Sequence, residues 1–221
     1  MKIIRKIGDK LFYRRGIFNP TKALPLKWTK DLTFALEENK KIINVGAGQN
    51  KRSGIINIDP AYEKEDQWSI KARGEDLPFR DNSIDFSICN AVLEHVKEPK
   101  KIVDEIYRVL KPEGKVYFDI PFIFPFHAAP NDYNRMTLQG LEYLCRKFKK
   151  IESGMCLGPN SGIAQILVDY NQIFFKNKLL KKIVKNITKI AVSPLKYFDK
   201  LLVNKKEAVR LAAGVYFYGK K

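Results

Sequence analysis

The apolar and polar positions between residues 41 and 120 alternate between short β-rich runs and one helix-like stretch. The runs rich in branched and aromatic residues predict strands at 41–45, 54–59, 68–72, 84–90 and 114–120. Before the last of these, apolar residues recur at helical spacing after Pro99, and Gly114 follows as a stop signal. Strands that alternate with helices are typical of a parallel sheet with helices on its faces.

The later part of the chain continues this pattern. A second helix-like stretch follows Thr137, a candidate N-cap, and extends to Phe148. The segments KKIESG (149–154) and RLAAGVYFYGKK (210–221) predict two more strands. We therefore expect an α/β fold with a Rossmann-like, doubly wound, mainly parallel sheet of seven strands.

A basic amphipathic segment separates the last two predicted strands. Apolar residues between Ile173 and Val192 form one stripe, while six Lys from Lys176 to Lys189 occupy the remaining positions. Ser193-Pro194 breaks this pattern, and LKYFDKLLV repeats its character over a shorter length. Two interpretations stay open: the stripe lies on an anionic membrane surface, or it packs on the sheet or on a second subunit.

Charge is distributed unevenly along the 221 residues, whose net charge is +17. Residues 1–30 carry +8 and residues 171–221 carry +11, whereas residues 31–170 carry −2. We predict a basic N-terminal extension over 1–30 and one domain over 31–221, with a basic helical insertion at 171–206. The basic flanks indicate a membrane surface, nucleic acid or an acidic substrate as partner, unless they are only solvated lysines.

The cysteines and the apolar runs indicate the compartment. Three cysteines are an odd number without metal-ligand spacing, which disfavours a disulfide framework or a zinc site and favours a reducing environment. No run approaches the roughly 18 apolar residues of a membrane-spanning helix, and the basic start lacks the apolar stretch of a signal peptide. We expect a cytoplasmic protein, with peripheral contact to the inner membrane face as an open option.

A loop of small residues directly follows the first predicted strand, and it consists of Gly46, Ala47, Gly48 and Gln49. Such a loop lets backbone approach a ligand at the carboxyl end of a parallel sheet. Lys51 stands where the dinucleotide pattern needs its third glycine, which disfavours a pyrophosphate ligand. Asp59 ends the second strand, where a carboxylate can accept hydrogen bonds from two ribose hydroxyls. A nucleoside without phosphates fits this pattern best.

Four segments carry a more specific resemblance: NVGAGQ, NIDP, GEDLPFRDNSIDFSICNAVLEHV and IYRVLKPEGKVYFDIPF. They resemble successive motifs of the class I methyltransferases that act on small molecules, over about residues 41–125. The resemblance implies S-adenosylmethionine as cofactor. It assigns the methionine part to Gly46, Ala47, Gly48 and Gln49, the ribose to Asp59 with Pro60, the adenine to Gly74, Glu75, Asp76 and Leu77, and the region beneath the sulfonium to Asn90 and Ala91.

The chain also departs from the family's pattern. Asn44 replaces the usual acidic residue before the glycine loop, so the cofactor's ammonium would meet a neutral partner. Only eight residues, 46–53, separate the first two strands, which is too few for a full crossover helix. A His beside a Glu could serve acid/base chemistry or bind a metal, but Glu94-His95 resembles a structural turn of the family, so we predict that it orients its loop. Methyl transfer needs mainly in-line positioning, and we predict no metal ligands.

Polar residues concentrate after the fifth predicted strand, namely His127, Asp132, Tyr133 and Arg135. Open α/β folds bind substrates at this edge of the sheet. A hydroxyl acceptor must lose its proton, and the ordinary pKa of histidine suits His127 to be the base in this catalytic group. The alternatives are a structural pair of Asp132 with Arg135, and a His127 that only hydrogen-bonds to backbone.

The pattern from His127 to Leu141, with LKYFDKLL and AAGVYFYGKK, resembles bacterial methyltransferases associated with surface-polysaccharide synthesis. That resemblance implies O-methylation of a saccharide, a glycolipid or another small hydroxylated acceptor, with a lipid-linked saccharide as one such partner. The alternatives are an isoprenoid or quinone lipid acceptor, and a noncatalytic RNA- or membrane-binding module that retains the fold. The chain lacks a recognisable RNA-binding motif, which disfavours nucleic acid.

Overall fold

In a computed structural model of the chain, residues 26–48 and 51–221 are described. The strands are β1 (Ile42–Val45), β2 (Ile56–Ile58), β3 (Ser69–Ile70), β4 (Ile84–Asn90), β5 (Leu110–Pro121), β6 (Lys149–Leu157) and β7 (Gly214–Lys220). They form one sheet in the order β3-β2-β1-β4-β5-β7-β6, in which β7 alone runs against its neighbours. The predicted Rossmann-like α/β fold with a mainly parallel seven-stranded sheet is confirmed.

The described α-helices are α1 (Leu26–Glu37), α2 (Pro99–Val109), α3 (Leu138–Leu144), α4 (Pro159–Ile173), α5 (Lys178–Val192) and α6 (Leu195–Leu202). Short 3-10 helices lie at Leu93–His95 and Lys206–Leu211. The Thr137 side chain accepts a hydrogen bond from the amide of Gly140 at 3.1 Å, which confirms the predicted N-cap of α3. This helix ends at Leu144, earlier than the predicted end at Phe148.

The strands bury apolar side chains on both faces, because alternate residues of a strand point to opposite sides of the sheet. On one face, Ile43 and Val45 of β1 pack with the apolar stripe of α2. On the other face, Trp28 of α1 is fully buried against the rings of Phe86 and Tyr117, with centroids 6.5 Å and 4.4 Å away. The two layers hold the sheet so that the parallel strands deliver their following loops to one edge.

The connection between β1 and β2 is short, as predicted. Among its described residues, 46–48 and 51–55, there is no helix. The amides of Gly46 and Ala47 donate hydrogen bonds to the carbonyl oxygen of Ile58, at 2.8 Å and 3.1 Å. The glycine loop therefore closes directly onto the end of β2.

The chain between β6 and β7 contains three α-helices and one 3-10 helix. The sequence pattern does not predict α4, in which Gly162 interrupts the periodicity and fits closely against Ala213. The amphipathic segment begins as α5 at Lys178 and not at Ile173, because the Asn177 side chain caps the amides of Leu179 and Leu180, at 2.8 Å and 3.2 Å. The predicted break after α5 is confirmed by the start of α6.

A buried carboxylate fastens α6 to α4. Asp199 accepts hydrogen bonds from the amides of Asn160 and Ser161, at 2.8 Å and 3.0 Å, and from the Ser161 hydroxyl at 2.6 Å. These amides belong to the first turn of α4, where a helix has no partners of its own for its N–H groups. A Cβ at Gly158 would lie 2.1 Å from the Asp199 carboxyl carbon, so this packing requires glycine there.

Candidate active site

The glycine loop after β1 adopts a backbone that favours glycine. Gly46 and Gly48 have φ angles of +67° and +56°, in the left-handed region. A Cβ at Gly46 would lie 2.3 Å from Val92 Cγ2, whereas a Cβ at Gly48 would meet no atom within 4 Å. Ala47 between them is buried. The loop is thus packed against Val92 at Gly46 and has open space beside Gly48. Gln49 lies outside the described residues.

Asp59 lies directly after β2 and faces this loop. Its Oδ2 accepts a hydrogen bond from the amide of Gly48 at 2.7 Å, and its Oδ1 accepts one from the amide of Ala61 at 2.9 Å. The residue is half-buried, while Pro60 is exposed. Each carboxylate oxygen has a second lone pair, so Asp59 can hold the loop and still accept hydrogen bonds from ligand hydroxyls.

Asn44 pairs with a residue of the neighbouring strand β2. Its side chain is 3% exposed and donates a hydrogen bond to Asn57 Oδ1 at 3.3 Å. The two residues face each other in the register of β1 and β2. The Asn44 Nδ2 group is thus engaged within the sheet, and the neutral contact of Asn44 with the cofactor's ammonium stays a prediction.

The loop predicted to frame adenine is anchored by the sheet and by α2. A Cβ at Gly74 would lie 2.9 Å from Val45 Cγ1, so the loop approaches β1 closely. The Leu77 side chain is buried in the core, and its amide donates a hydrogen bond to Glu105 Oε2 at 3.0 Å. Arg108 donates to the Leu77 carbonyl oxygen at 3.0 Å and also binds Glu105. The backbone at Leu77 is fixed, but its side chain serves the core.

The two acidic residues of the same loop remain near the surface. Glu75 is half-buried and forms an ion pair with Arg73 at 3.2 Å. Asp76 is exposed. Both acidic side chains are therefore accessible to a ligand, although Glu75 is also paired with Arg73.

Asp119 near the end of β5 positions the loop predicted to lie beneath the sulfonium. It is 3% exposed and accepts hydrogen bonds from Asn90 Nδ2 at 2.5 Å, the amide of Ala91 at 2.8 Å and the Tyr117 hydroxyl at 3.1 Å. Ala91 has φ +54°, a left-handed conformation that is uncommon for alanine.

Burial lowers the pKa of Arg52 to about 10, and the negative charge of Asp119 raises the Arg52 pKa in opposition.

Asp119 is not among the residues predicted from the sequence. The available signal was its place near the carboxyl end of a buried strand, next to the strand that carries Asn90 and Ala91. A buried carboxylate there stabilises a strained turn, which is a supporting role that a motif does not reveal.

The predicted pair of Asp132 and Arg135 exists and organises the acceptor loop. The Asp132 side chain is 2% exposed, and its ion pair with Arg135 lowers the Asp132 pKa to about 2. Asp132 Oδ2 also accepts a hydrogen bond from the amide of His127 at 2.7 Å. Arg135 binds the carbonyl oxygens of Phe124 and Pro125, at 3.2 Å and 2.9 Å. The pair therefore holds the loop that presents His127.

His127 meets Glu94 and His95 across the sheet edge. The Nε2 atoms of His127 and His95 lie 3.7 Å and 3.8 Å from Glu94 Oε1, and the two rings are nearly perpendicular, with centroids 5.3 Å apart. Glu94 is fully buried, whereas the His127 side chain is 38% exposed. The Glu94 carboxylate, together with the Pro125 carbonyl oxygen, raises the His127 pKa above its ordinary value. These residues form an accessible cluster of one carboxylate and two imidazoles.

From the sequence, Glu94-His95 is expected to orient its loop in preference to acid/base or metal chemistry. The signal that was present is positional, since both histidines of the chain follow adjacent parallel strands, β4 and β5. Carboxyl ends of adjacent strands meet at one edge of the sheet. The two histidines were therefore candidates for one site.

Tyr133 stands apart from this cluster. Its side chain is 47% exposed, and its ring lies 5.9 Å from Lys97 Nζ. Its amide and that of Asn134 donate hydrogen bonds to the Glu94 carbonyl oxygen, at 2.7 Å and 3.2 Å. Tyr133 thus supports the Glu94 backbone, while its side chain lies at the surface.

Comparison with known proteins shows similarity to methyltransferases over the first part of the sheet. Residues 30–118 match a family model described as a methyltransferase domain. An uncharacterized protein of Methanocaldococcus jannaschii is 41% identical over 86 residues, which are 35% of this chain and 42% of that protein. The ubiquinone/menaquinone biosynthesis C-methyltransferase UbiE of Escherichia fergusonii is 30% identical over 100 residues, 43% of this chain and 36% of that protein. The chain spans less than half the length of these relatives.

The fold is also similar to that of a solved structure. The crystal structure of a SAM dependent methyltransferase from Archaeoglobus fulgidus matches with a TM-score of 0.53 at 10% identity, over 88% of this chain and 92% of that one. The family match extends from α1 into β5 and includes every described residue that we assign to the cofactor. Residues 30–118 are therefore similar to the methyltransferase-domain family, in a chain with a Rossmann-like fold.

Proposed function

We propose that this chain binds S-adenosylmethionine at the ends of β1, β2 and β4 and methylates a hydroxyl group of a saccharide, a glycolipid or another small hydroxylated acceptor. A fold alone does not define a reaction, so the proposal rests on the residues of the site. The open space beside Gly48 and the accessible lone pairs of Asp59 fit the methionine and ribose parts of the cofactor.

One observation carries the proposal: the loops after β4 and β5 meet at the edge of the sheet. The loop after β4 carries Ala91, which we assign to the sulfonium, and one short turn later it carries Glu94. The buried Glu94 carboxylate faces His127 from the loop after β5. A basic group next to the methyl donor is what deprotonation of a hydroxyl acceptor requires.

The bound cofactor would supply an electrophilic methyl carbon on a cationic sulfur. In the proposed step the acceptor's O–H bond breaks, and its proton passes to His127 Nε2. The acceptor oxygen forms the new bond to carbon, and the electron pair of the broken S–C bond stays on sulfur. Glu94 stabilises the protonated imidazole, while Asp132 and Arg135 fix the loop that holds it.

Calorimetric titration with S-adenosylmethionine and S-adenosylhomocysteine tests the cofactor assignment. We expect both to bind, and we then expect labelled methyl transfer to an acceptor among nucleotide sugars and lipid-linked glycans. Failure of both ligands to bind would overturn the proposal. Salt-sensitive binding of RNA in that case would support the RNA-binding alternative instead.

A quinone or isoprenoid lipid is the second candidate acceptor, and the similarity to a protein named as a ubiquinone/menaquinone C-methyltransferase favours it. The two candidates differ in the atom that receives the methyl group. A product with carbon-13 label on a ring carbon would support the quinone acceptor, whereas a methoxy signal from a sugar would support the saccharide.

We also propose that α5 and α6 dock the protein on an anionic membrane surface. Thr188 is the residue of α5 that is buried, and it accepts a hydrogen bond from Asn171 of α4 at 3.1 Å. The apolar residues Leu179, Ile187 and Ile190 are 62–65% exposed. The stripe therefore faces away from the fold, and the neighbouring lysines complement anionic lipid headgroups. No described helix is long and apolar enough to cross a membrane.

Flotation with vesicles of phosphatidylglycerol and of phosphatidylcholine tests this docking. Charge reversal at Lys181, Lys182 and Lys185 should abolish binding to the anionic vesicles. The matched control reverses the charge of three exposed lysines outside α5 and α6, namely Lys40, Lys64 and Lys71. This variant should still bind the anionic vesicles. Unchanged flotation of the first variant would refute the docking, and self-association lost in Ile187→Glu would show that a second copy covers the stripe.

A further inference from the structure

The Glu94 side chain is buried without the partners that a buried carboxylate needs. It is 0% exposed, and within the described chain neither of its oxygens has a hydrogen-bond partner. Burying an ionised carboxylate without hydrogen bonds or a counter-charge is strongly unfavourable. What faces it instead are two imidazole nitrogens at 3.7 Å and 3.8 Å, which is beyond hydrogen-bond distance.

The backbone fixes which nitrogen of each imidazole carries hydrogen. His95 Nδ1 lies 2.6 Å from the Asn131 carbonyl oxygen, and His127 Nδ1 lies 3.2 Å from the Pro125 carbonyl oxygen. A carbonyl oxygen only accepts, so Nδ1 is the donor in both rings. In the neutral form, each Nε2 then presents a lone pair toward Glu94.

Arg135 does not reverse this assignment for His127. Its Nη2 lies 3.4 Å from His127 Nδ1, but its two hydrogens are directed to the Pro125 carbonyl oxygen at 2.9 Å and to Asp132 Oδ2 at 2.6 Å. Three electron-pair donors therefore converge: Glu94 Oε1 and the Nε2 atoms of His95 and His127. A cation between them would satisfy all three.

We propose that Glu94, His95 and His127 bind one divalent transition-metal ion, such as Zn²⁺, Mn²⁺ or Fe²⁺. One ligand atom from each residue lies within 4.8 Å of the others. A tetrahedral ion with bonds of about 2.1 Å needs ligand atoms about 3.4 Å apart, so a small inward shift of the side chains completes the site. Imidazole ligands favour a transition metal, whereas Mg²⁺ and Ca²⁺ prefer all-oxygen sites.

The surroundings of the three ligands match those of known metal sites. A metal-binding histidine commonly donates its other ring hydrogen to a carbonyl or carboxylate, which orients the ring. The carbonyl oxygens of Asn131 and Pro125 serve this purpose, and Asp132 holds the backbone of His127. The partial exposure of His127 leaves coordination positions open toward the acceptor loop.

The catalytic role of the ion rests on the proposed function, whereas its binding does not. A hydroxyl oxygen on such an ion loses its proton more readily, because the positive charge stabilises the alkoxide. With the ion bound, His127 Nε2 is a ligand and no longer the base described above. The acceptor's proton then leaves to solvent, and the oxygen attacks the methyl carbon. The S–C electron pair remains on sulfur as before.

Metal titration of the full-length protein, prepared without a polyhistidine tag and treated with a chelator, tests the site. We expect one equivalent of Co²⁺ to bind with visible absorption bands of a four- or five-coordinate ion, and Zn²⁺ to displace it. His127→Ala and Glu94→Gln should each weaken binding by about tenfold or more, by analogy with ligand-shell variants. Glu98→Gln changes an exposed carboxylate on the same loop and should leave binding unchanged.

Far-ultraviolet circular dichroism verifies folding of each variant, and the half-exposed His127→Asn variant keeps the test valid should the buried Glu94→Gln fail to fold. No metal binding, or binding that all variants retain, would overturn the proposed ion. Cofactor titration is read separately. Binding of S-adenosylmethionine without metal would overturn only the ion, and metal binding without cofactor would overturn only the proposed function.

Discussion

Backbone groups form most of one half of the candidate site, whereas side chains form most of the other half. The cofactor half, after β1 and β2, relies on backbone: two glycines with positive φ and amides that donate to Asp59 and Ile58. The acceptor half, after β4 and β5, relies on side chains, because Glu94, His95 and His127 converge from two loops. Backbone conformation is encoded by short local motifs, whereas side-chain convergence is encoded by topology.

This difference predicts how each half responds to substitution. Changes in the cofactor half should alter folding or cofactor affinity through steric fit. Changes in the acceptor half should spare cofactor affinity and lower transfer, since its residues lie beyond the loop of Asn90 and Ala91.

The largest effect is expected at the glycine loop. Gly46→Ala should destabilise the protein by about 1–2 kcal/mol for the left-handed backbone, and by a further ~1–3 kcal/mol for the clash with Val92. Gly48→Ala carries only the backbone term, but its methyl group would occupy the open space that we assign to the cofactor. Thermal unfolding without ligand should therefore rank Gly46→Ala as less stable, while calorimetry should show lost cofactor binding in Gly48→Ala. Equal melting temperatures for the two variants would contradict this division.

Replacement of Asp59 is expected to follow in magnitude. Asp59→Ala should weaken S-adenosylmethionine binding by about 1–3 kcal/mol, the usual range for hydrogen bonds to a charged group. The exposed Glu63 lies close by in sequence and provides a matched control as Glu63→Ala. Unaltered affinity in Asp59→Ala would remove this residue from the cofactor site.

In the acceptor half, Asp132→Ala removes the partner of Arg135 and of the His127 amide. We expect turnover to fall about tenfold, equivalent to ~1.4 kcal/mol, through misplacement of the loop. The dissociation constant of S-adenosylmethionine should remain that of the unmodified protein, and Asp104→Ala, in an ion pair on the surface, should change neither quantity. A large loss of cofactor affinity in Asp132→Ala would show that the halves are not separable.

The smallest effect concerns the support of the adenine loop. Arg108 lowers the pKa of Glu105, so Glu105 contributes stability above its unfolded pKa, and this contribution is lost as the pH falls through the lower folded value. Arg108→Gln should reduce the free energy of unfolding by under about 1 kcal/mol at pH 7, given its partial exposure. Urea unfolding should show that the difference in free energy of unfolding between the unmodified protein and Arg108→Gln becomes smaller near pH 3. If that difference instead grew on acidification, the stabilising effect of Arg108 would not come from Glu105.

Much of the fold could be predicted from the sequence because its signals are local. Each parallel strand is a short apolar run, and α2 shows a full helical stripe that ends before β5. The glycine loop and Asp59 were also predictable, since they directly follow strands. In contrast, α4 lacked a clear stripe, and its packing depends on Gly162 against Ala213 and on capping by Asp199 from another helix.

The sequence by itself determined the sheet and the glycine loop, because those features depend on residues that act within their own segment. Only the tertiary structure decided that Asn44 pairs inside the sheet, that Asp119 supports Ala91, and that the stripe of α5 faces outward. It also decided that His127 meets Glu94 and His95. Such contacts join residues far apart in sequence, and only the parallel register that places the ends of β4 and β5 side by side brings them together.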